Sequence, residues 1–503
     1  MQKKFVTNLA IVLFLNLLIK PIWIFGFDRA VQNVIDPAAY GEYFVLFNFS
    51  FLLNIILDFG ITNFNNTNIA QNNHLLSKHF SSIVTLKLVL AILYIIATMT
   101  CGFLNGYDTR LTKLLLVLGL NQFLITFIQY LRSNLAGLHL FKTDSVISIL
   151  DRLIMIPICA VLLWGHVTAR QMDIMTFVYI QTTAYFLTAA ITFFIVLAKT
   201  HTFKLNWNRP FSIMILKKSI PYAILVLLMT FFNRIDSVML FRILPDSHEA
   251  DQNGVSGAVQ ASIYAQSYRL LDATNMIAFL FSGLLLPIFS RMLKFKESIE
   301  PLAKLAFTLL ITPAIVVGVG CCFYNKEIIQ TLYSKHADQS ELVYQLFVAQ
   351  SSSVLQLLMW CFMCQSISYI FGTLLTANRN LKDLNILAAS CMLLNVSLNI
   401  ILIPHLLAFG SAIAALATQF SMAVAQVLIV QWKFKFRINV RLFINLAVYI
   451  VGVVIINFFS KSFHFSTERW YFNFAAMVVV SVLWAFFTRI IGIKSMFRVL
   501  KYG

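Results

Sequence analysis

Charge is scarce in this sequence. Of 503 residues only 12% are charged and 59% are hydrophobic, whereas a soluble globular chain carries about 25% charged and about 45–50% apolar residues. That deficit excludes an ordinary soluble domain. Extended polar segments are missing too. The largest loop on the side opposite the N-terminus covers about residues 243–260, "ILPDSHEADQNGVSGAVQ", and is too short to hold a domain. Histidine is absent from the interiors of the apolar runs, which removes the residue that most often carries proton relays across membranes. The seven cysteines all lie within or beside apolar runs. One CxxC, "WCFMC" around Cys361 and Cys364, has no second CxxC and no HxxxH to complete a zinc site, and no disulfide framework is legible. The basic, apolar start "MQKKFVTNLAIVLFLNLLIKPIWIFGF" lacks a small-x-small cleavage site, so it reads as a retained first membrane helix, not a signal peptide.

What is present is a series of long apolar runs. A helix needs ~20 apolar residues to cross a bilayer, and the sequence offers about fourteen such runs. They cover 6–27, 43–64, 81–104, 111–131, 145–165, 173–198, 217–242, 261–289, 302–324, 346–375, 385–403, 406–431, 441–459 and 471–490. They do not alternate as β-barrel strands do. The expected fold class is therefore all-α integral membrane, with about 14 transmembrane helices.

The net charge of +18 reports orientation. With the N-terminus in the cytoplasm, roughly two-thirds of the basic residues fall in cytoplasmic segments, Lys78 and Lys87 among them, as the positive-inside rule requires. Both termini are then cytoplasmic, in a plasma (inner) membrane, and contact with anionic lipid accounts for the basic pI without nucleic acid. The most basic link between helices, 199–216, falls between the sixth and seventh runs. The expected organisation is a six-helix lobe over 1–200, a second over 213–432, and two additional helices with a basic tail over 433–503. A weak internal repeat agrees. "GLHLFKTDSVISIL" from Gly137 parallels "TANRNLKDLNILAA" from Thr376, and "PAAYGEYFVLFNFSFLL" from Pro37 parallels "ASIYAQSYRLLDATNMI" from Ala261.

Apart from residues at run ends and the basic residues assigned to the segments between runs, eight ionisable residues sit inside the runs: Lys20, Asp58, Asp151, Arg152, Arg234, Asp236, Arg269 and Asp272. A charge at mid-bilayer costs about 2.5–3.5 kcal/mol on insertion scales, so such residues face the bundle interior or water. At 1.5 Å per residue, Lys20, Arg234, Asp236, Arg269 and Asp272 fall in the outer half of the membrane, and Asp58, Asp151 and Arg152 in the inner half. Two readings stand. Arg269 and Asp272 share a helix face and can neutralise each other, and Asp151 and Arg152 can snorkel. Alternatively the basic residues line a path for an anion, most naturally a phosphate, which a guanidinium grips through a bidentate fork. Asp58, Asp236 and Asp272 are the candidates for ion coupling. Pro21 is expected to kink the first helix, and Pro157 and Pro313 can do likewise in the fifth and ninth.

Four motifs taken in order carry a resemblance. "VIDPAAYGEYFVLFNFSFLLNIILDFGITNF" (34–64), "NRIDSVML" (233–240), "IYAQSYRLLD" (263–272) and "LLPIFSRM" (285–292) resemble the signatures of polysaccharide flippases of the multidrug/oligosaccharidyl-lipid/polysaccharide exporter superfamily. The likeness covers about the first twelve helices. It implies two six-helix lobes around a V-shaped cavity, alternating access, and a polyprenyl-diphosphate-linked oligosaccharide moved from the cytoplasmic to the outer leaflet for cell-surface polysaccharide or lipopolysaccharide synthesis. It implies basic residues in the cavity, a role that Lys20, Arg152, Arg234 and Arg269 can fill. The expected partners are the lipid-linked oligosaccharide, membrane lipids and the polysaccharide assembly machinery, with no cofactor, no metal and no nucleic acid. The Arg269/Asp272 pair and the small 245–256 loop depart from the general pattern. A drug/cation antiporter of the same superfamily is the alternative, and it requires acidic cavity residues to dominate. A membrane polymerase or ligase is the third reading, and no loop here is large enough to supply its catalytic Arg and His.

Overall fold

A computed structural model describes residues 14–16, 18–19, 21–62, 65, 75–138, 140–165, 172–200, 207–245, 255–335, 341–437, 439–462, 470–488 and 490. Every regular element among them is helical. A π-helical segment, Ile22–Asp28, leads into α1 (Arg29–Val34), α2 (Pro37–Leu52) and the single turn α3 (Ile55–Asp58). Then come α4 (Leu75–Leu104), α5 (Thr109–Gly137), α6 (Phe141–Trp164), α7 (Ile174–Thr200) and α8 (Arg209–Ile243). The remainder are α9 (Gly257–Lys294), α10 (Glu300–Leu332), α11 (Glu341–Ala377), α12 (Leu381–Phe434), α13 (Val440–Ser462) and α14 (Trp470–Phe487). Ten helices among the described residues are long and apolar enough to cross a membrane, so the protein is a multi-pass, all-α membrane protein.

Local chemistry sets the element ends. The Asp36 carboxylate accepts from the Ala39 amide at 3.0 Å, with Pro37 in the first turn, an N-cap followed by a proline that needs no amide partner. The Asn208 side chain caps α8 in the same way, accepting from the Phe211 amide at 3.1 Å. Pro21 precedes the π-helical segment. The proline removes one amide donor, and the wider turn follows directly. Pro157 and Pro313 lie inside α6 and α10 without ending them. The departure from helical geometry in α10 is at Tyr324 instead (φ −115°, ψ 17°). The eleventh and twelfth apolar runs form the 54-residue α12, broken at Leu407 (φ 55°, ψ −138°) just after Pro404.

The chain divides into two compact units, Met1–Ser262 and Ile263–Gly503, with the division inside α9. In the first, α5 packs on α7, α2 on α8 and α5, and α6 on α7. Gly41 of the Tyr-Gly-x-Tyr motif lets α2 approach closely: a Cβ there would run into the Ala258 carbonyl. Its neighbours Tyr40 and Tyr43 are buried, and Glu42 accepts from Arg110 at 2.8 Å. In the second unit, α11 packs on both α10 and α12. The C-terminal α13 and α14 bury Tyr449, Val453, Met477 and Ala485 against Ile311, Ile315, Val316 and Val319 of α10. Cys361 and Cys364 lie buried on α11 as free thiols.

The repeat pair that begins at Gly137 and Thr376 has a structural counterpart in each unit. Asp144, in the first turn of α6, accepts from Arg132 at 2.7 and 3.3 Å. Asp383, in the first turn of α12, accepts from Lys433 at 2.5 Å. An acid is favoured at a helix N-terminus by the macrodipole, and in both units it also ties the helix start to a basic partner.

Candidate functional site

In the first unit two arginines that lie inside helical spans, Arg152 and Arg234, rest on aromatic rings. Arg152, on α6, has its side chain 26% exposed. Its guanidinium lies 5.2 Å from the Trp23 ring and 5.9 Å from the Tyr185 ring, and it donates to the Tyr185 hydroxyl at 3.2 Å. The Asp151 carboxylate is 3.7 Å away but is turned back to accept from the Arg152 amide at 2.8 Å. A guanidinium stacks on aromatic faces and keeps its edge for planar anions. Trp23 stands in the π-helical segment after Pro21, a distortion frequent at functional sites. The helix that carries Arg152 begins at Phe141, four residues before the apolar run, so Arg152 stands near its middle.

Arg234, on α8, faces α2. Its guanidinium lies 5.3 Å from the Phe51 ring and 3.5 Å from the Asn48 side-chain carbonyl. Asn48 is itself held, donating to Ser237 at 2.9 Å. Asp236 points to another side of α8 and is buried. The two arginine environments are joined by a continuous series of rings. Trp23 stacks on Phe177 at 6.3 Å, Phe177 meets Tyr43 edge-on at 5.7 Å, Tyr43 meets Phe47 at 6.1 Å, and Phe47 meets Phe51 at 6.3 Å. The Tyr43 hydroxyl accepts from Gln181 at 3.0 Å.

Asp58 stands where α3 ends. The Asp-Phe-Gly turn of the sequence motif is a break with Phe59 at φ 44° and Gly60 at φ 75°. Asp58 accepts from the Thr62 hydroxyl at 2.5 Å and forms an ion pair with Lys87 of α4. The Lys87 ammonium also donates to the Leu57 carbonyl at 3.1 Å. Lys87 was expected in a cytoplasmic segment and lies instead in the core of the first unit, with a side chain only 2% exposed. The helix that carries it starts at Leu75, so it is twelve residues inside. A lone Lys within "VTLKLVLAIL" was the available signal, and the structure makes it the missed member of the charge set. Asp28 was also missed. The first run was bounded at residue 27, but the helical path continues through Asp28. It is buried and accepts from Gln32 at 3.2 Å and from the Tyr40 hydroxyl at 3.4 Å.

Arg269 and Asp272, both half-buried on α9, lie in the second unit. Lys20 lies outside the described residues. The geometry thus brings Arg152 and Arg234 together with one aromatic series, and sets Asp58 against Lys87.

A model of the polysaccharide biosynthesis protein family matches residues 6–293. No curated protein matches the chain by sequence. Among solved structures, the chain is similar to the lipid II flippase MurJ in an inward closed conformation. That match has a TM-score of 0.68 and 15% identity over 96% of this chain and 97% of that one. It is also similar to an inward-facing multidrug resistance MATE family transporter of the MOP superfamily (TM-score 0.59, 14% identity, 82% and 94% of the two chains). A third is a MOP superfamily transporter from Pyrococcus furiosus, described by the reverse polarity of its binding pocket (TM-score 0.55, 13% identity, 85% and 94%). At these identities what is shared is the fold.

Proposed function

The chain belongs to the polysaccharide biosynthesis protein family, and we propose that it flips a polyprenyl-diphosphate-linked oligosaccharide from the cytoplasmic to the outer leaflet of the plasma (inner) membrane. The observation that carries this reading is the placement of Arg152 and Arg234 inside the helical unit on aromatic faces. A guanidinium held this way keeps its N–H edge for a phosphate. The cost of a charge in the membrane is met by water on its open side. The diphosphate binds there, the sugar crosses in water, and the prenyl tail stays in lipid. Movement is by alternating access of two six-helix lobes, 1–200 and 213–432, with 433–503 as an addition. Both termini are cytoplasmic, the product feeds cell-surface polysaccharide or lipopolysaccharide assembly, and the chain works without catalysis or cofactor. Lys20 and Arg269 extend the cationic set, and Asp58, Asp236 and Asp272 are its coupling-ion candidates.

The test is flipping in reconstituted vesicles. Arg234→Ala and Arg269→Ala are each expected to abolish transport at normal protein levels. Full activity of both single variants and of the double variant sinks the proposal. The MATE-like fold raises the antiporter alternative, but a cationic drug in the first unit meets two guanidinium groups on its way. Export of a cationic dye by the same vesicles would favour that alternative.

A further inference from the structure

An open pocket lies in the second unit where three helix ends meet, the end of α9, the start of α10 and the end of α12. Its volume of about 340 Å³ is within the ~300–1,000 Å³ range of small-molecule sites. One wall is apolar, made by Leu293, Phe434 and Phe436, and the two rings stand 5.7 Å apart. The other wall carries both signs of charge, with Lys296, Glu297, Ser298 and Glu300. Phe295 and Trp432, close by in the chain, are exposed. Aromatic residues take such places at the boundary between hydrocarbon and water.

Backbone geometry fixes the rims. Just past the end of α9 the chain turns at Lys296, φ 55°. The Lys296 amide donates to the Leu293 carbonyl at 3.2 Å, and the Glu297 amide to the Met292 carbonyl at 2.9 Å. Past the end of α12 the chain turns in the same way at Lys435, φ 48°, whose amide donates to the Gln431 carbonyl at 2.9 Å. Glycine takes this conformation without strain, yet both rims carry a lysine. The Lys304 ammonium ties the start of α10 to the chain after α12. It donates to the Glu300 carboxylate at 2.5 Å and to the Arg437 carbonyl at 2.9 Å. Glu300 therefore has its counter-charge. Lys296 and Glu297 are exposed and enter no ion pair among the described residues.

We propose that this pocket binds the headgroup of an ethanolamine phospholipid. The phosphate sits on the Lys296 ammonium and the Ser298 hydroxyl, the primary ammonium donates to the Glu297 carboxylate, and the start of an acyl chain lies on Phe434 and Phe436. A purely anionic headgroup would meet two carboxylates in the same wall. A choline headgroup has no N–H to donate to one. The site belongs to the second unit alone, and it stands whether or not the flippase reading does.

The test is retention of the first bound lipid by the full-length protein in detergent, counted by native mass spectrometry. Ethanolamine, choline and glycerol phospholipids with the same acyl chains are added in turn. The ethanolamine lipid is expected to bind about tenfold more tightly than the choline lipid, the ratio that one charge-assisted hydrogen bond commands, and more tightly than the glycerol lipid. Glu297→Gln should bring the first ratio to about one while binding persists. Lys296→Gln should weaken the ethanolamine and choline lipids together with the ratio intact, and Lys296→Arg should keep the parent affinities. Both side chains are exposed, so melting temperatures should stay at the parent value, which assigns the losses to binding. Equal retention of ethanolamine and choline lipids by the parent overturns the proposal. A preference for the glycerol lipid overturns it too, since the cations would then act alone. An ethanolamine preference untouched by Glu297→Gln and Lys296→Gln also overturns it, since the lipid would then bind elsewhere.

Discussion

Lys87 and Asp58 should be unequal partners in stability. The lysine side chain is 2% exposed and the aspartate 23%. Breaking a buried ion pair costs about 3–5 kcal/mol, because the remaining charge is left without its counter-charge. Lys87→Met leaves an aspartate that still accepts from the Thr62 hydroxyl at 2.5 Å and keeps some access to solvent, so its cost belongs near ~3 kcal/mol. It also strips the donor from the Leu57 carbonyl. Asp58→Asn leaves an ammonium in the core with a backbone carbonyl and the Tyr130 ring, 5.9 Å away, for company, so its cost belongs near ~5 kcal/mol. Together the two substitutions remove both charges, and replacing a buried pair by neutral groups is often close to neutral. The double variant is therefore expected within ~2 kcal/mol of the parent. Reversible unfolding in mixed detergent micelles, read as a double-mutant cycle, measures all three. Equal costs for the two single variants, or a double variant as unstable as their sum, would refute the reasoning.

Two further substitutions test the backbone. Gly41→Ala should destabilise the first unit by ~1–3 kcal/mol through overpacking against the Ala258 carbonyl; an unchanged melting temperature in detergent would show that α2 can shift away. Leu407→Gly should raise stability by ~1 kcal/mol, since Leu407 sits at φ 55° where a side chain is strained and glycine is not; a lower melting temperature would mean that the Leu407 side chain contributes more than the strain costs.

How much of this was legible in the sequence depended on whether a feature is local. Helix number and type came through because apolar length is a local property. The break between the eleventh and twelfth runs was visible as a short gap between 403 and 406, and it appears at Leu407. The run read as continuous over 43–64 is broken at Asp-Phe-Gly, where Phe59 and Gly60 adopt positive φ, a conformation glycine tolerates. What did not come through was partnership. Lys87 was assigned to a loop because a lysine near a run edge ordinarily snorkels. Only the return of α3 to within reach of α4 shows that its ammonium has a carboxylate and an open carbonyl to satisfy. Asp28 was lost because an acid one residue past an apolar run looks like the end of a helix, and the π-helical turn after Pro21 carries the helix on.

The arginines show the same limit from the other direction. Their presence inside spans was plain in the sequence, and the phosphate chemistry followed from their type. Whether they were locked against carboxylates was not, because Arg152 has Asp151 next to it and Arg234 has Asp236 two residues on. In the second case Arg234 turns to Asn48 and Phe51 on α2. Neighbouring backbone answers the first, since Asp151 folds onto the Arg152 amide at 2.8 Å while the guanidinium lies on Trp23. The rings that hold both cations come from the first helical segment, α2 and α7, elements distant in sequence from the arginines they serve. A run of Phe and Tyr on α2 reads as lipid-facing or core packing until the cations above it are placed. Once they are, Phe51 is the ring on which the Arg234 guanidinium rests.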